Sequence, residues 1–244
     1  MGAKRKQAVK QQNKKSYGNV VDIKPFQSKQ TQVTILPRNR NQESYVLSLL
    51  DLTKDIVFGI GPAGTGKTLL AVQVAVKLFK EGTIDKIIVT RPAVSVDEDL
   101  GFLPGTLEEK MAPWTRPIFD VLREYFDARQ ITGMIEEGII EIAPLAYMRG
   151  RTFKNSWIIA DEMQNATPSQ MKMLLTRIGD NSKVLVTGDL AQHDRGFEDN
   201  GLKNFVDLLE QRGSKIIGVQ KFSRGDVERH AAVTEVLTIY GDED

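Results

Sequence analysis

The stretch GIGPAGTGKTLL, residues 59–70, restricts the possible fold of this chain more than any other segment. Its spacing, Gly61-x4-Gly66-Lys67-Thr68, matches the phosphate-binding loop that connects a strand to a helix. Glycines let successive backbone N–H groups converge on phosphate oxygens, because no β-carbon obstructs the chain there. The lysine ammonium can reach the β and γ phosphates, and the threonine hydroxyl can bind Mg²⁺. The pattern predicts a nucleoside triphosphate site with Mg²⁺.

The segments on either side of this loop support the same interpretation. Residues 56–60 form a short apolar run and residues 69–79 favour a helix, so the phosphates would meet a helix N-terminus. A glycine-proline turn with a chance lysine is the alternative, and it does not account for these flanks. The predicted nucleotide-binding residues are Gly61, Pro62, Ala63, Gly64, Thr65, Gly66, Lys67, Thr68 and Leu69.

Composition excludes several other kinds of site. The 244 residues contain no cysteine, which rules out disulfides, thiolate zinc sites and cysteine nucleophiles. The two histidines, His193 and His230, are too few for a histidine-rich metal site. No apolar run approaches the length of a transmembrane helix, and the N-terminus lacks the apolar core of a signal peptide. We therefore expect a soluble cytoplasmic protein with no membrane partner.

The net charge of +1 conceals an uneven distribution. Residues 1–31 carry eight lysines and arginines against one aspartate, a net charge of +7, which leaves the remainder at −6. This segment is rich in glutamine and asparagine and poor in large apolar side chains, which predicts a disordered basic arm. Such an arm either binds nucleic acid or only increases solubility, and both interpretations stay open here.

Six short apolar runs rich in β-branched residues alternate with helix-like segments through residues 32–244. The runs are continuous, which is typical of strands buried on both faces. Strands that alternate with helices predict an α/β fold with a mainly parallel sheet and helices on both faces. Residues 91–135 are long for one crossover and predict a helical insertion into this single domain. The predicted strands are 55–60, 86–90, 139–144, 156–161, 183–189 and 215–220, and the predicted helices are 68–80, 114–130, 168–178, 201–211 and 226–238.

Two further segments supply groups that phosphate hydrolysis requires. The run WIIADEMQN carries Asp161 to the end of a predicted strand, where its carboxylate can complete a Mg²⁺ shell opposite Thr68. Glu162 follows directly and can polarise a water for attack on the γ-phosphate. The run VTGDLAQ repeats the arrangement, and its Gln192 can contact the same water or the γ-phosphate. A solvated strand end and an ordinary turn are the structural alternatives for these two motifs.

The ordered set GKT, DEMQ and GDLAQ is similar to the nucleotide-binding half of superfamily 1 helicases. The fuller series GPAGTGKT, TRPAV, LGFLPG, EKMAPWTRP, MRGRTF, ADEMQN, QMKMLLTRIG, VTGDLAQ and DVERH closely resembles the PhoH family of phosphate-starvation-associated ATPases, from about Gln42 to Tyr240. This resemblance implies a RecA-like P-loop ATPase core, with ATP and Mg²⁺ as its cofactors, and a role on RNA. The chain departs from the family pattern at Met163, where alanine is usual, and in QHDRGFEDNGL, where a Leu-Pro pair typically follows the aspartate.

The resemblance also implies roles for individual residues. Gln42 lies where related helicases use a glutamine amide to read adenine, and a surface glutamine is the alternative. Arg91 follows a predicted strand, at the edge where related helicases touch the phosphates of single-stranded nucleic acid, here RNA rather than DNA. Arg149 and Arg151 add positive charge near Phe153, a candidate stacking ring, although either arginine can instead pair with an acidic residue. The resemblance assigns Lys67 to phosphate, and Thr68 and Asp161 to Mg²⁺. It assigns Glu162 to the attacking water and Gln192 to the γ-phosphate.

An arginine that stabilises charge on the γ-phosphate has no counterpart in these motifs. Two-domain helicases supply it from a second RecA-like domain, so here we expect it from the C-terminal segment or from a neighbouring subunit. Arg229 in DVERH is the first candidate, with Arg224 and Arg195 behind it, and a capping or pairing role is the alternative for Arg229. A head-to-tail contact that closes makes a ring, which predicts a homo-oligomer and, by analogy with RecA-like rings, a hexamer.

Three functions are consistent with this sequence. They are an ATPase coupled to single-stranded nucleic acid, an NTP-binding switch or scaffold whose hydrolysis times a protein interaction, and a small-molecule kinase. Glu162 directly after Asp161 favours water as the phosphoryl acceptor and argues against the kinase. Stimulation of ATP turnover by RNA or DNA separates the first two.

Overall fold

Six parallel strands form one sheet in the computed structural model, which describes residues 33–92, 107–192, 200–228 and 231–240. Each strand coincides with a run that the sequence predicted, and the predicted basic arm 1–31 lies outside the described residues. In chain order the strands are β1 (Ile56–Ile60), β2 (Lys86–Thr90), β3 (Ile140–Ile142), β4 (Ser156–Ala160), β5 (Lys183–Gly188) and β6 (Ile217–Lys221). Across the sheet their order is β3-β2-β4-β5-β1-β6.

Helices cover both faces of this sheet, which confirms the predicted α/β class. The bounds are α1 (Arg40–Leu50), α2 (Lys67–Lys80), α3 (Leu107–Tyr125), α4 (Ala128–Glu136), α5 (Pro168–Leu175), α6 (Gly201–Arg212) and α7 (Ala231–Tyr240). Helices α1 to α4 pack on one face with Val57, Trp157 and Leu185, whereas α5 and α6 pack on the other with Phe58 and Val184. Alternate residues of each strand therefore enter opposite cores, as the continuous apolar runs predicted.

Two of the predicted helices differ from those observed. The single helix expected at 114–130 is two helices, because Asp127 accepts a hydrogen bond from the Gln130 N–H and the Gln130 side chain bonds the Asp127 N–H in return. This capping box begins α4 just after α3 ends. Where a helix was expected at 226–238, a 3-10 turn spans Arg224–Asp226, and a helix is described from Ala231 to Tyr240. Throughout the described ranges, no helix has the length and apolarity that a membrane crossing requires.

The strand order brings the three sequence motifs to one place. Strands β4, β5 and β1 are direct neighbours, and each ends in one of the motifs. Ile60 pairs with Gly188 at the ends of β1 and β5, and Ala160 pairs with Val186 in β4 and β5. The carboxyl ends of parallel strands meet at one sheet edge, so GKT, DEMQ and GDLAQ lie side by side there.

Candidate nucleotide-binding site

The loop after β1 has the backbone path that its glycines predict. Gly61, Gly64 and Gly66 all have positive φ angles, +146°, +82° and +81°. A β-carbon on Gly61 would lie 2.4 Å from the carbonyl oxygen of Phe222, so the close approach of the chain after β6 requires glycine here. Gly66 caps α2, and its carbonyl accepts the Leu70 N–H at 2.9 Å. The free N–H groups of the first turn of α2 therefore face the loop.

The ammonium group of Lys67 lies inside the loop. It donates hydrogen bonds of 2.6 Å to the carbonyl oxygens of Gly61 and Pro62. Partial burial lowers the pKa of Lys67, and the nearby carboxylates of Asp189 and Glu162 oppose this shift. The carbonyl dipoles thus hold the Lys67 ammonium at the loop. A phosphate, which is negatively charged, would accept a stronger hydrogen bond from it than these carbonyls do.

Thr68 and Asp161 meet across the site. The Thr68 hydroxyl donates a hydrogen bond to Oδ1 of Asp161 at 2.8 Å, and the Thr187 hydroxyl donates to the same oxygen. Asp161 is itself buried and its N–H bonds the carbonyl of Thr90, which ties the end of β4 to β2. A hydroxyl and a carboxylate are oxygen ligands that Mg²⁺ prefers when phosphates and waters supply the rest. Among the described residues there is no cluster of three or more acidic, histidine or cysteine side chains that could hold a metal.

Glu162 has an unusual backbone conformation. Its φ and ψ angles are +53° and +38°, in the left-handed region that residues other than glycine seldom adopt. Such angles are retained where neighbouring contacts impose them, often at active sites. The contact that holds the side chain is a hydrogen bond of 2.5 Å from Nε2 of Gln164 to Oε2 of Glu162.

Gln164 is a site residue that the sequence reading missed. It is fully buried, and its Oε1 accepts the N–H of Asp189 at 3.1 Å while its Nε2 bonds Glu162. A β-carbon on Gly188 would lie 2.8 Å from this Oε1, so the glycine leaves room for the bridge. The amide of Gln164 thereby joins Glu162, after β4, to the motif GDLAQ, after β5. In the sequence, only the position of Gln164 inside the motif DEMQ indicated that it belongs to the site.

These residues surround a cavity of about 260 Å³. Gln192, which follows β5, is one of the residues that line this cavity. Three of the predicted loop residues do not line the cavity. Thr65 is fully buried and its hydroxyl donates to the Pro62 carbonyl, while Gly61 and Pro62 offer their carbonyls to Lys67. The lining residues are Ala63, Gly64, Gly66, Lys67, Thr68, Leu69, Asp161, Glu162, Gly188, Asp189 and Gln192.

Gln42 is not a surface residue. Its side chain is 4% exposed and lies under the loop, where Nε2 donates to the carbonyl of Thr65 at 3.2 Å and Oε1 accepts the Arg38 N–H at 2.8 Å. A β-carbon on Gly66 would lie 3.1 Å from that Nε2. Gln42 therefore connects α1 to the phosphate-binding loop, and each end of its amide keeps one further hydrogen-bonding capacity.

The arginines predicted to touch nucleic acid differ in their surroundings. Arg151 forms a two-pronged ion pair with Glu141 and lies over the ring of Phe153 at 4.5 Å, so its charge is already matched. Phe153 is buried and does not offer the exposed ring that the sequence predicted. Arg149 is exposed, and Arg91 is half-buried at the carboxyl edge of the sheet, where its carbonyl accepts the Leu145 N–H.

The region also presents an aromatic ring that the sequence reading did not select. Tyr147 lies in the 3-10 turn after β3, two residues before Arg149, and its side chain is 66% exposed. Among the candidates for the arginine finger, Arg224 is exposed in the turn after β6. Arg229 and Arg195 lie outside the described residues.

The chain after β6 returns to the phosphate-binding loop. The Glu228 N–H donates to the carbonyl of Gly64 at 3.1 Å, and Val227 lies against the same glycine. Asp226 fixes this return, because its buried carboxylate accepts hydrogen bonds from Asn41 in α1 and from Ser223. These bonds hold the pKa of Asp226 below its ordinary value although burial acts in the opposite direction.

A comparison with protein families decides the identity of the chain. The family model described as "PhoH-like protein" matches residues 34–241, most of the sequence. The chain belongs to the PhoH family. The order of the PhoH motifs and the cavity between them agree with this, and the fold is that of a RecA-like P-loop NTPase with an α/β core.

Named relatives of this PhoH-family chain come from distant bacteria. It is 49% identical over 208 residues to "PhoH-like protein" of Mycobacterium tuberculosis H37Rv, covering 85% of this chain and 58% of the relative. It is 46% identical over 209 residues to "PhoH-like protein" of Bacillus subtilis 168, covering 85% of this chain and 64% of the relative. The chain thus spans less than two thirds of either relative. Among solved structures, the HK97 bacteriophage large terminase shares the fold at a TM-score of 0.51 and 11% identity, over 86% of this chain and 48% of that one.

Proposed function

We propose that this PhoH-family protein hydrolyses ATP in a Mg²⁺-dependent reaction and couples the hydrolysis to single-stranded RNA. One observation carries the hydrolysis step: the Thr68 hydroxyl bonds Asp161 at 2.8 Å, and Glu162 follows with its carboxylate on the same cavity. A pair of oxygen ligands suited to Mg²⁺ thereby adjoins a carboxylate suited to polarising water.

The residues around the cavity divide the work of phosphoryl transfer to water. Lys67 exchanges the Gly61 and Pro62 carbonyls for the β and γ phosphates, which the N–H groups of the loop also bind. Mg²⁺ held by Thr68 and Asp161 would neutralise charge that develops on these phosphates. Glu162, oriented by its bond to a buried amide, accepts a proton from the attacking water.

The carboxyl edge of the sheet next to the cavity supports a nucleic-acid partner. Arg149 is exposed after β3, Arg91 is half-buried after β2, and Tyr147 presents an exposed ring on which a base can stack. The net charge of +7 on residues 1–31 adds a basic segment to a body that is otherwise acidic. Arg151 is not included, because its guanidinium is paired with Glu141. We favour RNA over DNA and a cytoplasmic location for this activity.

We include self-association in this proposal. Arg229 remains the first candidate for the finger, because it belongs to the motif DVERH and follows Glu228, whose N–H bonds the phosphate-binding loop. In a closed ring of head-to-tail subunits, each subunit would supply an arginine finger to the ATP site of the next. We propose a hexamer for this ring.

The decisive experiment measures ATP turnover with single-stranded RNA, with single-stranded DNA of the same sequence, and with neither, using Lys67→Ala as the inactive control. Stronger stimulation by RNA than by DNA is the expected result. Basal hydrolysis that neither polymer stimulates would instead favour the nucleotide-dependent switch. Release of inorganic phosphate in step with ADP identifies water as the acceptor, whereas ADP without free phosphate would favour a kinase.

A further inference from the structure

Helix α7 has an exposed apolar side. Every side chain described in this helix is exposed, although its sequence AAVTEVLTIY is mostly apolar. The large apolar residues recur three and four positions apart, so they form one stripe along the helix. An exposed apolar stripe of this kind is typical of a surface that binds another protein. The exposed fractions are 47% for Val233, 49% for Val236, 75% for Ile239 and 79% for Tyr240.

A groove of matching character lies between α5 and α6. It has a volume of about 730 Å³, and Leu208, which lines it, is 41% exposed. The apolar residues of the lining come from both helices and from the start of β6, and two exposed cations, Lys172 and Arg212, stand at its rim. The apolar lining residues are Met171, Leu175, Phe205, Leu208, Leu209 and Ile217.

The charges of the two surfaces are opposite. Glu235 is exposed on α7, and the sequence after the helix, GDED, adds three carboxylates within four residues. Lys172 and Arg212 are the cations that face the groove. An acidic apolar helix therefore complements a basic apolar groove, and such complementarity orients and selects partners.

The helix does not occupy the groove of its own chain. Its described side chains are exposed, and it begins three residues after Glu228, which is bonded to the phosphate-binding loop. The groove extends to Gly213, Ser214 and Ile217, at the opposite edge of the sheet. The three residue steps from Glu228 to the start of α7 span at most roughly 11 Å, which restricts how far α7 can move toward that edge.

We propose that α7 of one copy of this protein docks in the groove between α5 and α6 of a second copy. The helix on one side and the groove on the other make a head-to-tail contact, which leaves a free helix and a free groove for the next copy. This assignment rests on the self-association in the proposed function and names the surface responsible. It also sets the neighbouring copy close to Glu228 and the phosphate-binding loop.

The absence of cysteine from the chain makes a direct test available. Val236→Cys and Leu208→Cys are prepared separately, mixed and mildly oxidised. A disulfide-linked pair of chains that forms in the mixture, well above the level in either preparation alone, is the expected result. The matched control replaces Leu208→Cys with Leu47→Cys, an exposed leucine of α1 on the other face of the sheet. Equal cross-linking with Leu47→Cys would overturn the docking.

Two further measurements complete the test. Val236→Asp and Leu208→Asp should each shift the protein to smaller species in sedimentation velocity, while a fluorescent ATP analogue still binds and so reports an intact fold. An oligomer unchanged by both variants would overturn the assignment of this surface. So would a disulfide formed within one chain by the double variant Val236→Cys/Leu208→Cys. Because none of these readouts uses hydrolysis or RNA, failure of the proposed activity would leave their outcome unaffected.

Discussion

Gln164 donates a hydrogen bond to Glu162, with 2.5 Å between Nε2 and Oε2, from a side chain that is fully buried. The Oε1 of the same amide accepts the N–H of Asp189. The orientation of the Glu162 carboxylate therefore depends on the end of β5 as well as on the end of β4. A carboxylate that acts as a base must be aimed at its water before its pKa matters.

Replacing Gln164 should therefore weaken catalysis without removing the base itself. We expect Gln164→Ala to lower kcat for ATP hydrolysis roughly tenfold to a hundredfold, less than the full effect of a general base, with KM for ATP nearly unchanged. Steady-state kinetics measures both. Gln220→Ala, which changes a half-buried glutamine of β6, is the matched control and should match the unmodified protein. A rise in KM at constant kcat would contradict the orienting role.

Lys67→Ala and Glu162→Gln should separate binding from hydrolysis. Loss of the Lys67 ammonium removes a phosphate contact, so Lys67→Ala should bind ATP weakly and show no turnover. Glu162→Gln keeps the size of the side chain and should bind ATP while hydrolysis falls on the order of a hundredfold or more. Calorimetric titration and phosphate release measure the two properties. Unchanged turnover in Glu162→Gln would assign the water to another group.

Arg149 and Arg151 provide a matched pair for nucleic-acid binding. Arg149 is exposed, so Arg149→Ala should weaken binding of single-stranded RNA and reduce the slope of log affinity against log salt by about one. Arg151 is paired with Glu141, so Arg151→Ala should leave this slope unchanged. Fluorescence anisotropy of a labelled oligonucleotide at several salt concentrations gives both values. A slope that decreases only in Arg151→Ala would reverse the assignment.

Mixing two inactive variants tests whether the arginine finger acts between subunits. Arg229→Ala lacks the proposed finger, and Lys67→Ala lacks a working phosphate site. Mixed oligomers would contain some interfaces with an intact site facing an intact finger, so part of the ATPase activity should return. The activity of the mixture is compared with that of each variant alone at the same total concentration. A monomer by light scattering that is fully active at low concentration would contradict this arrangement.

Asp226 should make the fold sensitive to acid. Its folded-state pKa lies below the ordinary value, so its stabilising effect is present above that value and is lost as pH falls through the folded pKa. At neutral pH, Asp226→Asn should lower the free energy of unfolding by about 1–3 kcal/mol, because the bonds from Asn41 and Ser223 lose a charged acceptor. Urea titrations near neutral pH and below about pH 3.9 should show the difference shrinking in acid. Asp120→Asn, at an exposed surface pair, should change stability little at either pH.

The sequence predicted those features that depend on local rules. Glycine spacing and continuous apolar runs act within a few residues, and they located the loop before Lys67 and all six strands. The capping box at Asp127 and Gln130 is equally local, but the prediction of a single helix over 114–130 overlooked it.

The features that the sequence did not reveal depend on contacts between distant segments. Gln164 gains its role from β5, and Gln42 is buried because α1 packs beneath the phosphate-binding loop. The pairing of Arg151 with Glu141 depends on a turn that brings the two together. The spacing of residues along the sequence does not specify such contacts. Some glutamines and arginines at other positions in the chain are exposed, so the residue type does not predict burial or pairing either.

The position of β1 in the sheet also has a consequence for how the protein folds. This strand precedes the phosphate-binding loop early in the chain, yet Ile56 pairs with Val184 of β5 and with Ile217 of β6. During synthesis, both edges of β1 therefore stay unpaired until most of the chain has emerged. Such long-range pairing is slow and leaves an aggregation-prone edge in the meantime. A nascent chain that stops before β6 would lack a finished nucleotide site, so ATP binding would report completed folding.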